Sequence, residues 1–159
     1  MRKKAESKYV VTAMDMTPFR HTVLFIAGDW RAAASTIDNE ILDSKDDFIS
    51  VSNKVLKLIA ASGFEFDDCQ GATMYRKEIT NNLIVILMRE PNPELGIVVH
   101  ECHHATMLTL GDSGVDDRNH EVSAYLLENL VRICMNAINK NNKKEQKKNE
   151  KTSINSNNR

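Results

Sequence analysis

The sequence predicts an α+β domain, in which a small mixed or antiparallel sheet packs against helices. β-rich runs at Lys8–Thr12 and Thr22–Ala27 flank Met16-Thr17-Pro18, which is typical of a first pair of strands. The run Leu83–Met88 is continuously apolar, so we expect it inside the sheet. Elsewhere, apolar residues recur at helical spacing. With 159 residues, the chain has the length of one domain.

Two helices are predicted after the first pair of strands. Asp29 is a favourable N-cap for a helix that runs from Trp30 to about Leu42. A second helix ends near Ser62-Gly63, where glycine interrupts the pattern. The apolar residues that define this second helix are Phe48, Val51, Val55, Leu58 and Ile59.

A second pair of strands is predicted at Ala72–Lys77 and Leu83–Met88, on either side of a turn at Thr80-Asn81-Asn82. We expect this hairpin to lie next to the helix that follows it. Ala72–Lys77 is the segment that we assign to the exposed edge of the sheet.

Two more helices complete the predicted fold. One begins after Pro91-Asn92-Pro93-Glu94, where a turn precedes an acidic first helical turn, and ends near Gly111. The other opens at about Asp117. Their apolar residues are Leu95, Val98, Val99, Cys102, Ala105, Met107 and Leu108 in the first, and Val122, Leu126, Leu127, Leu130, Val131, Cys134 and Ile138 in the second.

The segment from His100 to His104 reads H-E-x-x-H and is the most specific chemical signal in the chain. On a helix, His100 and His104 share one face, so both imidazoles can reach one metal ion. Glu101 can contact a water at that ion without binding the ion itself, as a general base must. The segment therefore predicts two ligands and a base, the minimum for hydrolysis assisted by one zinc ion per chain.

A zinc site of this kind needs a third protein ligand. A third histidine six residues after the second, which one class of zinc peptidases uses, is absent because Leu110 holds that position. Glu121, seventeen positions after His104 on the next helix, is the predicted ligand. The structural alternative for Glu121 is an exposed residue that complements the helix dipole. The alternative ligands are His120, Asp116 and Asp117.

The order strand, H-E-x-x-H helix, short loop and a helix reading Glu-x-x-Ala-Tyr-Leu-Leu from Glu121 resembles the small gluzincin-type metallopeptidase domains. Among these, the chain is most similar to the compact peptidases of bacteriophages and prophages. A more distant likeness is to the peptidases that cleave phage repressors, although their usual DNA-binding module is not recognisable here. The specific likeness covers His100 to Leu127, and a weaker one reaches back to about Thr22.

This resemblance implies a zinc metallopeptidase that acts on a peptide or protein substrate. An exposed sheet edge would receive the substrate backbone by strand addition. It also implies that the zinc ligands are His100, His104 and Glu121, with Glu101 as general base. The alternative function is a catalytically inactive metal-binding protein with a structural or virion-associated role.

Three further side chains are candidates for the donor that a developing oxyanion needs. Tyr125 lies one helical turn after Glu121, on the same side of the predicted helix. A packed core position is the competing interpretation of Tyr125. His103 and His120 are the other candidates, and surface positions near the site are their competing interpretation.

The charge of the chain is unevenly distributed. The formal net charge is −1, yet the segment from Lys140 to the C-terminus carries seven Lys or Arg against two Glu. Its Asn- and Ser-rich composition predicts a disordered tail at 141–159, or a frayed extension of the preceding helix. We expect a solubilising end rather than a nucleic-acid contact. The predicted organisation is thus a flexible N-terminus (1–7), one domain (8–140) and this tail.

The three cysteines, Cys69, Cys102 and Cys134, show no C-x-x-C spacing and fit a reducing compartment. Cys102 lies inside the motif but points away from the histidine face, so we predict a small core residue. Neither a signal-peptide pattern nor an apolar run of membrane-spanning length is recognisable. We therefore expect a cytoplasmic protein without a membrane partner, in the host cytoplasm if it is phage-encoded.

Overall fold

The computed structural model describes residues 8–40, 51–64, 69–116 and 119–156, and the statements below refer to these residues. They confirm the predicted α+β class. In chain order the elements are β1 (Tyr9–Asp15), β2 (Thr22–Gly28), α1 (Trp30–Glu40), α2 (Val51–Ser62), β3 (Gly71–Met74), α3 (Lys77–Thr80), β4 (Leu83–Met88), α4 (Leu95–Asp112) and α5 (His120–Ser156).

The described strands form one mixed sheet in the order β1-β2-β4-β3. β1 is antiparallel to β2, β2 is parallel to β4, and β4 is antiparallel to β3. Because parallel neighbours need a crossover connection, α1 and α2 lie between β2 and β4 in the chain. β4 is therefore an interior strand, as its apolar sequence predicts, and β3 forms one edge of the sheet.

The two central strands are buried on both faces because helices cover both faces. Successive side chains of a strand point to opposite sides. Phe25 and Ile86 pack in a cluster with side chains of α4 and α5, whereas Leu24 and Leu87 pack in a second cluster with α1 and α2. Burial on both sides favours a continuously apolar strand, and every residue of Leu83–Met88 is buried.

The start of α1 at Trp30 and the end of α2 at Ser62 agree with the sequence prediction. Asp29 Oδ1 accepts a hydrogen bond from the Ala32 backbone N–H at 3.0 Å, which caps α1. Gly28 immediately before it has φ +91, and a Cβ there would overlap the Lys8 carbonyl oxygen. Only glycine fits this turn. The predicted α1 end near Leu42 and the predicted α2 residue Phe48 lie outside the described residues.

The third strand is shorter than predicted, and the prediction of a strand up to Lys77 is wrong. β3 ends at Met74, and Lys77–Thr80 forms the single helical turn α3. Both the backbone N–H and the hydroxyl of Thr80 donate to the Arg76 carbonyl, at 2.9 and 3.0 Å. Asn81, with φ 56, ends this turn. The assignment of the segment to an edge of the sheet is nevertheless correct.

The last helix is much longer than a core helix. α5 continues to Ser156, so residues 141–156 extend the helix, which is the second of the two alternatives predicted for the tail. Lys8 Nζ pairs with Glu145 at 3.0 Å, and Asn142 donates to Asn92 at 3.0 Å. Residues 1–7 and 157–159 lie outside the described part of the chain. None of the described helices combines the length and apolar character that a bilayer crossing requires.

Asp112, the last residue of α4, contacts side chains from two other segments of the chain. Its carboxylate lies 3.1 Å from Lys77 Nζ, 3.3 Å from Tyr75 Oη and 3.2 Å from His21 Nε2. His21 is only 3% exposed, and its Nδ1 lies 2.7 Å from the Phe19 carbonyl oxygen. Since a carbonyl only accepts, Nδ1 carries a hydrogen. The His21–Asp112 contact has the distance of an ion pair but lacks hydrogen-bond alignment.

The same contacts shift two pKa values. The hydrogen bond from Lys77, followed by the charge of Lys77 and the hydrogen bond from Tyr75, holds the pKa of Asp112 below its ordinary value against the opposing effect of desolvation. Burial, and then the negative charge of Asp112, raises the pKa of Tyr75. These side chains join α4 to the loop before β2 and to the segment after β3.

Candidate metal centre

His100 and His104 lie one helical turn apart on α4, and both are exposed. Their Nε2 atoms are 3.1 Å apart, and the two rings are nearly perpendicular, at 83°. Two nitrogens bound to one tetrahedral zinc ion at about 2.0–2.1 Å lie roughly 3.3 Å from each other. The observed distance therefore fits a shared ion, and it also fits a hydrogen bond between a protonated and an unprotonated ring nitrogen.

Glu101 differs from its histidine neighbours because it is buried, at 6% exposure. Its Oε2 accepts a hydrogen bond from the Thr73 hydroxyl of β3 at 2.7 Å. The same hydroxyl lies 2.9 Å from the main-chain oxygen of Glu101. Burial of a carboxylate is costly unless hydrogen bonds compensate for the lost water, and Thr73 supplies such a bond.

Close contact between β3 and α4 depends on Gly71. A Cβ atom at this position would lie 3.0 Å from Glu101 Cγ, 3.0 Å from Met88 Sδ and 3.2 Å from Ile97 Cγ2. Gly71 therefore provides the space in which the Glu101 side chain lies. Neither Gly71 nor Thr73 belongs to a motif, and both reach Glu101 only because β3 packs beside α4, so the sequence alone does not point to either residue.

An open cleft of about 580 Å³ lies beside the edge strand. The Glu101 carboxylate and the His104 imidazole provide its polar groups, together with Thr73. Its remaining lining residues are Ala72, Met107 and Leu108. Met107 is 39% exposed, which is high for a large apolar side chain. The cleft therefore brings together the predicted base, one predicted metal ligand and the edge of the sheet.

The predicted third ligand is not brought together with the histidine pair. Within the described ranges, no group of three His, Cys, Asp or Glu side chains could hold a metal ion. Glu121 lies in the first turn of α5 and is exposed. The alternative ligands His120 and Asp116 are also exposed, and Asp117 lies outside the described residues. The assignment of Glu121 to the site stays a prediction.

The candidate oxyanion donors are all on the surface. Tyr125 is 71% exposed, so its interpretation as a packed core tyrosine is wrong. It is not among the residues that line the cleft. His103 and His120 are exposed, and the ring centroids of His103 and His104 are 6.3 Å apart.

Cys102, inside the motif, faces the core as predicted and is fully buried. Its Sγ lies 3.8 Å from Sγ of Cys134 on α5. The hydrogen bond between these thiols, and then burial, raises the pKa of Cys134. Since the thiolate is the reactive form, this shift disfavours reaction at Cys134. Both side chains are fully buried and pack between α4 and α5.

No family model, no curated protein and no solved structure matches this chain. The likeness to small gluzincin-type peptidases thus stays a prediction from the motif. What can be said about function depends on the geometry of the cleft and on the chemistry of the residues around it.

Proposed function

We propose that the chain is a zinc-dependent peptidase or amide hydrolase whose centre is His100, Glu101 and His104. The observation that carries the proposal is a pair of exposed Nε2 atoms 3.1 Å apart, next to a carboxylate that lines the same cleft as one of them. A hydrogen bond between two surface histidines alone gives no reason to bury Glu101 beside them.

The residues divide the chemistry between them. When bound, zinc would lower the pKa of a water molecule to about 7 and polarise a substrate carbonyl. His100 and His104 would hold the ion through Nε2. Glu101 would take the proton from the attacking water and pass it to the nitrogen of the leaving amine. Its buried position excludes bulk water from one side of the carboxylate.

Glu121 is the third ligand that we propose. It lies at the start of α5, directly after the connection from α4, and its exposed carboxylate is available to an ion. A Glu carboxylate beside two imidazoles is a donor set typical of catalytic zinc.

We further propose that an extended peptide binds along β3. This strand has β4 on one side and forms the edge of the described sheet on the other, where a substrate backbone can pair with it. Ala72 of β3 lines the cleft, and Met107 and Leu108 give it an apolar wall. These walls favour an apolar substrate side chain next to the reacting bond.

The first test is zinc content, measured by elemental mass spectrometry after reconstitution with zinc. We expect one zinc per chain in the wild type and in Glu101→Gln, and loss of zinc in His104→Ala and Glu121→Ala. His103→Ala is the matched control, because it removes an exposed imidazole from the same turn of α4. Zinc retained in Glu121→Ala would move the third ligand to His120 or an aspartate. A wild type that binds no zinc would overturn the proposal.

The second test is turnover of casein and of a pool of quenched fluorescent peptides. Glu101→Gln should retain zinc and lower the rate by at least about 100-fold, since general-base catalysis contributes factors of that size. Two outcomes would identify a metal-binding structural protein instead. In one, the wild type binds zinc but neither protein shows turnover; in the other, Glu101→Gln turns over substrate as fast as the wild type.

A further inference from the structure

We propose that Thr73 is a positioning residue for Glu101. Its hydroxyl fixes one carboxylate oxygen and thereby turns the other toward the cleft. This inference rests on the proposed hydrolytic function and adds a residue from the edge strand to the machinery of the base. It is carried by the two contacts of Thr73 Oγ1 with Glu101, at 2.7 Å to Oε2 and 2.9 Å to the main-chain oxygen.

The hydroxyl has one hydrogen, so it can donate fully to only one of these two oxygens at a time. An ionised carboxylate is the stronger acceptor, and hydrogen bonds from a hydroxyl to a carboxylate are about 2.5–2.7 Å long. The 2.7 Å contact has that length, whereas the main-chain contact is longer. The hydrogen bond of Thr73 is therefore assigned to Oε2 of Glu101.

The other oxygen, Oε1, has no hydrogen-bond partner within the part of the chain that the structure describes. Glu101 lines the cleft, so this oxygen is the one available to a reacting water. Gly71 also contacts this side chain closely, because a Cβ at Gly71 would lie only 3.0 Å from Glu101 Cγ. Gly71 and Thr73 lie two residues apart on β3 and thus on the same face of the strand, where Gly71 leaves space for the Glu101 side chain and Thr73 orients its carboxylate.

The same strand is the proposed binding edge for substrate. Ala72, between the two contact residues, lines the cleft. A peptide that pairs with β3 would order this four-residue strand and with it the Thr73 hydroxyl. Binding of a peptide to the edge strand would in this way affect the orientation of Glu101, because Thr73 directly follows Ala72, which lines the cleft.

Three substitutions separate this role from a structural one. Thr73→Val keeps the shape of the side chain and removes the hydroxyl, whereas Thr73→Ser keeps the hydroxyl. Thr106→Val is the matched control, because Thr106 is a buried threonine of α4 whose hydroxyl donates only to the Cys102 carbonyl, at 2.9 Å. All three variants should fold, as judged by circular dichroism and thermal melting, and all three should bind as much zinc as the wild type.

The direct measurement is carbon-13 NMR of the chain labelled at the Glu side-chain carboxyl carbon, at constant pH, with the Glu101 signal assigned through Glu101→Gln. We expect this signal to move in Thr73→Val, to return near its wild-type position in Thr73→Ser and to stay in place in Thr106→Val. An unchanged Glu101 signal in Thr73→Val would overturn the proposal, whether or not the protein hydrolyses anything.

Turnover of the fluorescent peptide pool is the second measurement. Loss of a group that orients a catalytic residue typically costs about 10- to 100-fold in activity, so Thr73→Val should lower kcat by that factor with KM little changed. Thr73→Ser should restore most of it. Equal turnover in the wild type and Thr73→Val would refute the positioning role and leave the hydrolase proposal intact. A shifted NMR signal without turnover in the wild type would leave the contact intact and refute the hydrolase.

Discussion

The histidine at the C-terminal end of α4 and the two histidines in its middle differ in burial and in what their ring nitrogens face. His21, from the loop before β2, is buried against the C-terminal end of α4. Its Nδ1 faces the Phe19 carbonyl, and its Nε2 lies 3.2 Å from the Asp112 carboxylate. In the middle of the helix, His100 and His104 are exposed, and their Nε2 atoms lie 3.1 Å apart. The Nδ1 atom of His21, which faces a carbonyl oxygen, carries a hydrogen and has no lone pair for a metal ion. Burial and a hydrogen-bonded Nδ1 are typical of a structural histidine, whereas exposed nitrogens that face each other are typical of a candidate ligand pair.

The carboxylates of the two regions differ in the same way. Asp112 contacts Lys77, Tyr75 and His21, which leaves it little free acceptor capacity. Glu101 accepts from Thr73 alone among the described side chains. A general base needs an open oxygen, and only Glu101 retains one. The carboxylate at the end of α4 is thus occupied by contacts within the protein, whereas the one in the middle of α4 keeps an acceptor oxygen without a partner among the described residues.

The largest expected effect is on zinc affinity. His100→Ala removes one of the proposed ligands and should weaken zinc binding by more than about 100-fold. His21→Ala should leave zinc affinity unchanged, because His21 is buried against the C-terminal end of α4 and is not part of the His100–His104 pair. Competition with a chromogenic zinc chelator measures both. Equal losses in the two variants would remove the distinction between the regions.

For the free energy of unfolding, we expect the opposite order: His21→Ala should have the larger effect and His100→Ala the smaller one. His21→Ala removes a buried side chain and its hydrogen bond to the Phe19 carbonyl, so the free energy of unfolding should fall by roughly 1–3 kcal/mol. His100→Ala changes an exposed residue and should stay within about 0.5 kcal/mol of the wild type. Urea unfolding of the metal-free proteins provides the comparison. A larger loss in His100→Ala would show that the pair is structural.

Substitution of Gly71 by alanine tests how closely β3 approaches α4. Gly71→Ala places a Cβ 3.0 Å from Glu101 Cγ and Met88 Sδ, so we expect a loss of about 1 kcal/mol in the free energy of unfolding. Gly96→Ala is the control, because nothing lies within 4 Å of the added Cβ at this helical position. That variant should gain about 0.5 kcal/mol from reduced backbone entropy. A neutral or stabilising Gly71→Ala would contradict the tight contact.

The smallest expected effect is the dependence of stability on acid pH. The hydrogen bond from Lys77 holds the pKa of Asp112 below its ordinary value. A carboxyl group whose folded pKa is depressed contributes stability above its unfolded pKa, about 4, and loses it as the pH falls through the folded pKa. Between about pH 5 and pH 2 the wild type should therefore lose stability more steeply than Asp112→Asn. Parallel curves from thermal melting would exclude this contribution.

What the sequence predicts well is local in the chain. The run Leu83–Met88 identifies an interior strand because a sheet covered on both faces needs apolar residues at every position. The spacing of His100 and His104 places both on one helix face because helical geometry is fixed. The Asp29 cap is likewise a contact over three residues. Each of these depends on neighbours that the sequence shows directly.

What the sequence does not predict depends on packing between distant segments. Thr73 and Glu101 are 28 positions apart, and only the pairing of β3 with β4 beside α4 brings them together. The strand assigned up to Lys77 ends early because Lys77 lies in a helical turn and reaches Asp112, 35 positions away. Periodicity assigned Tyr125 to a helix, but it does not show which faces of that helix are covered.

The chemical reactivity of the buried thiols of Cys102 and Cys134 can report the separation of α4 from α5. Both are fully buried where α4 meets α5, whereas Cys69 is half-buried outside any helix or strand. A thiol reagent should therefore modify Cys69 first. The other two can react only when the two helices separate, at a rate set by the free energy of that opening. Modification kinetics, read by intact mass, would thus show whether an added metal ion holds α4 and α5 together, without any knowledge of a substrate.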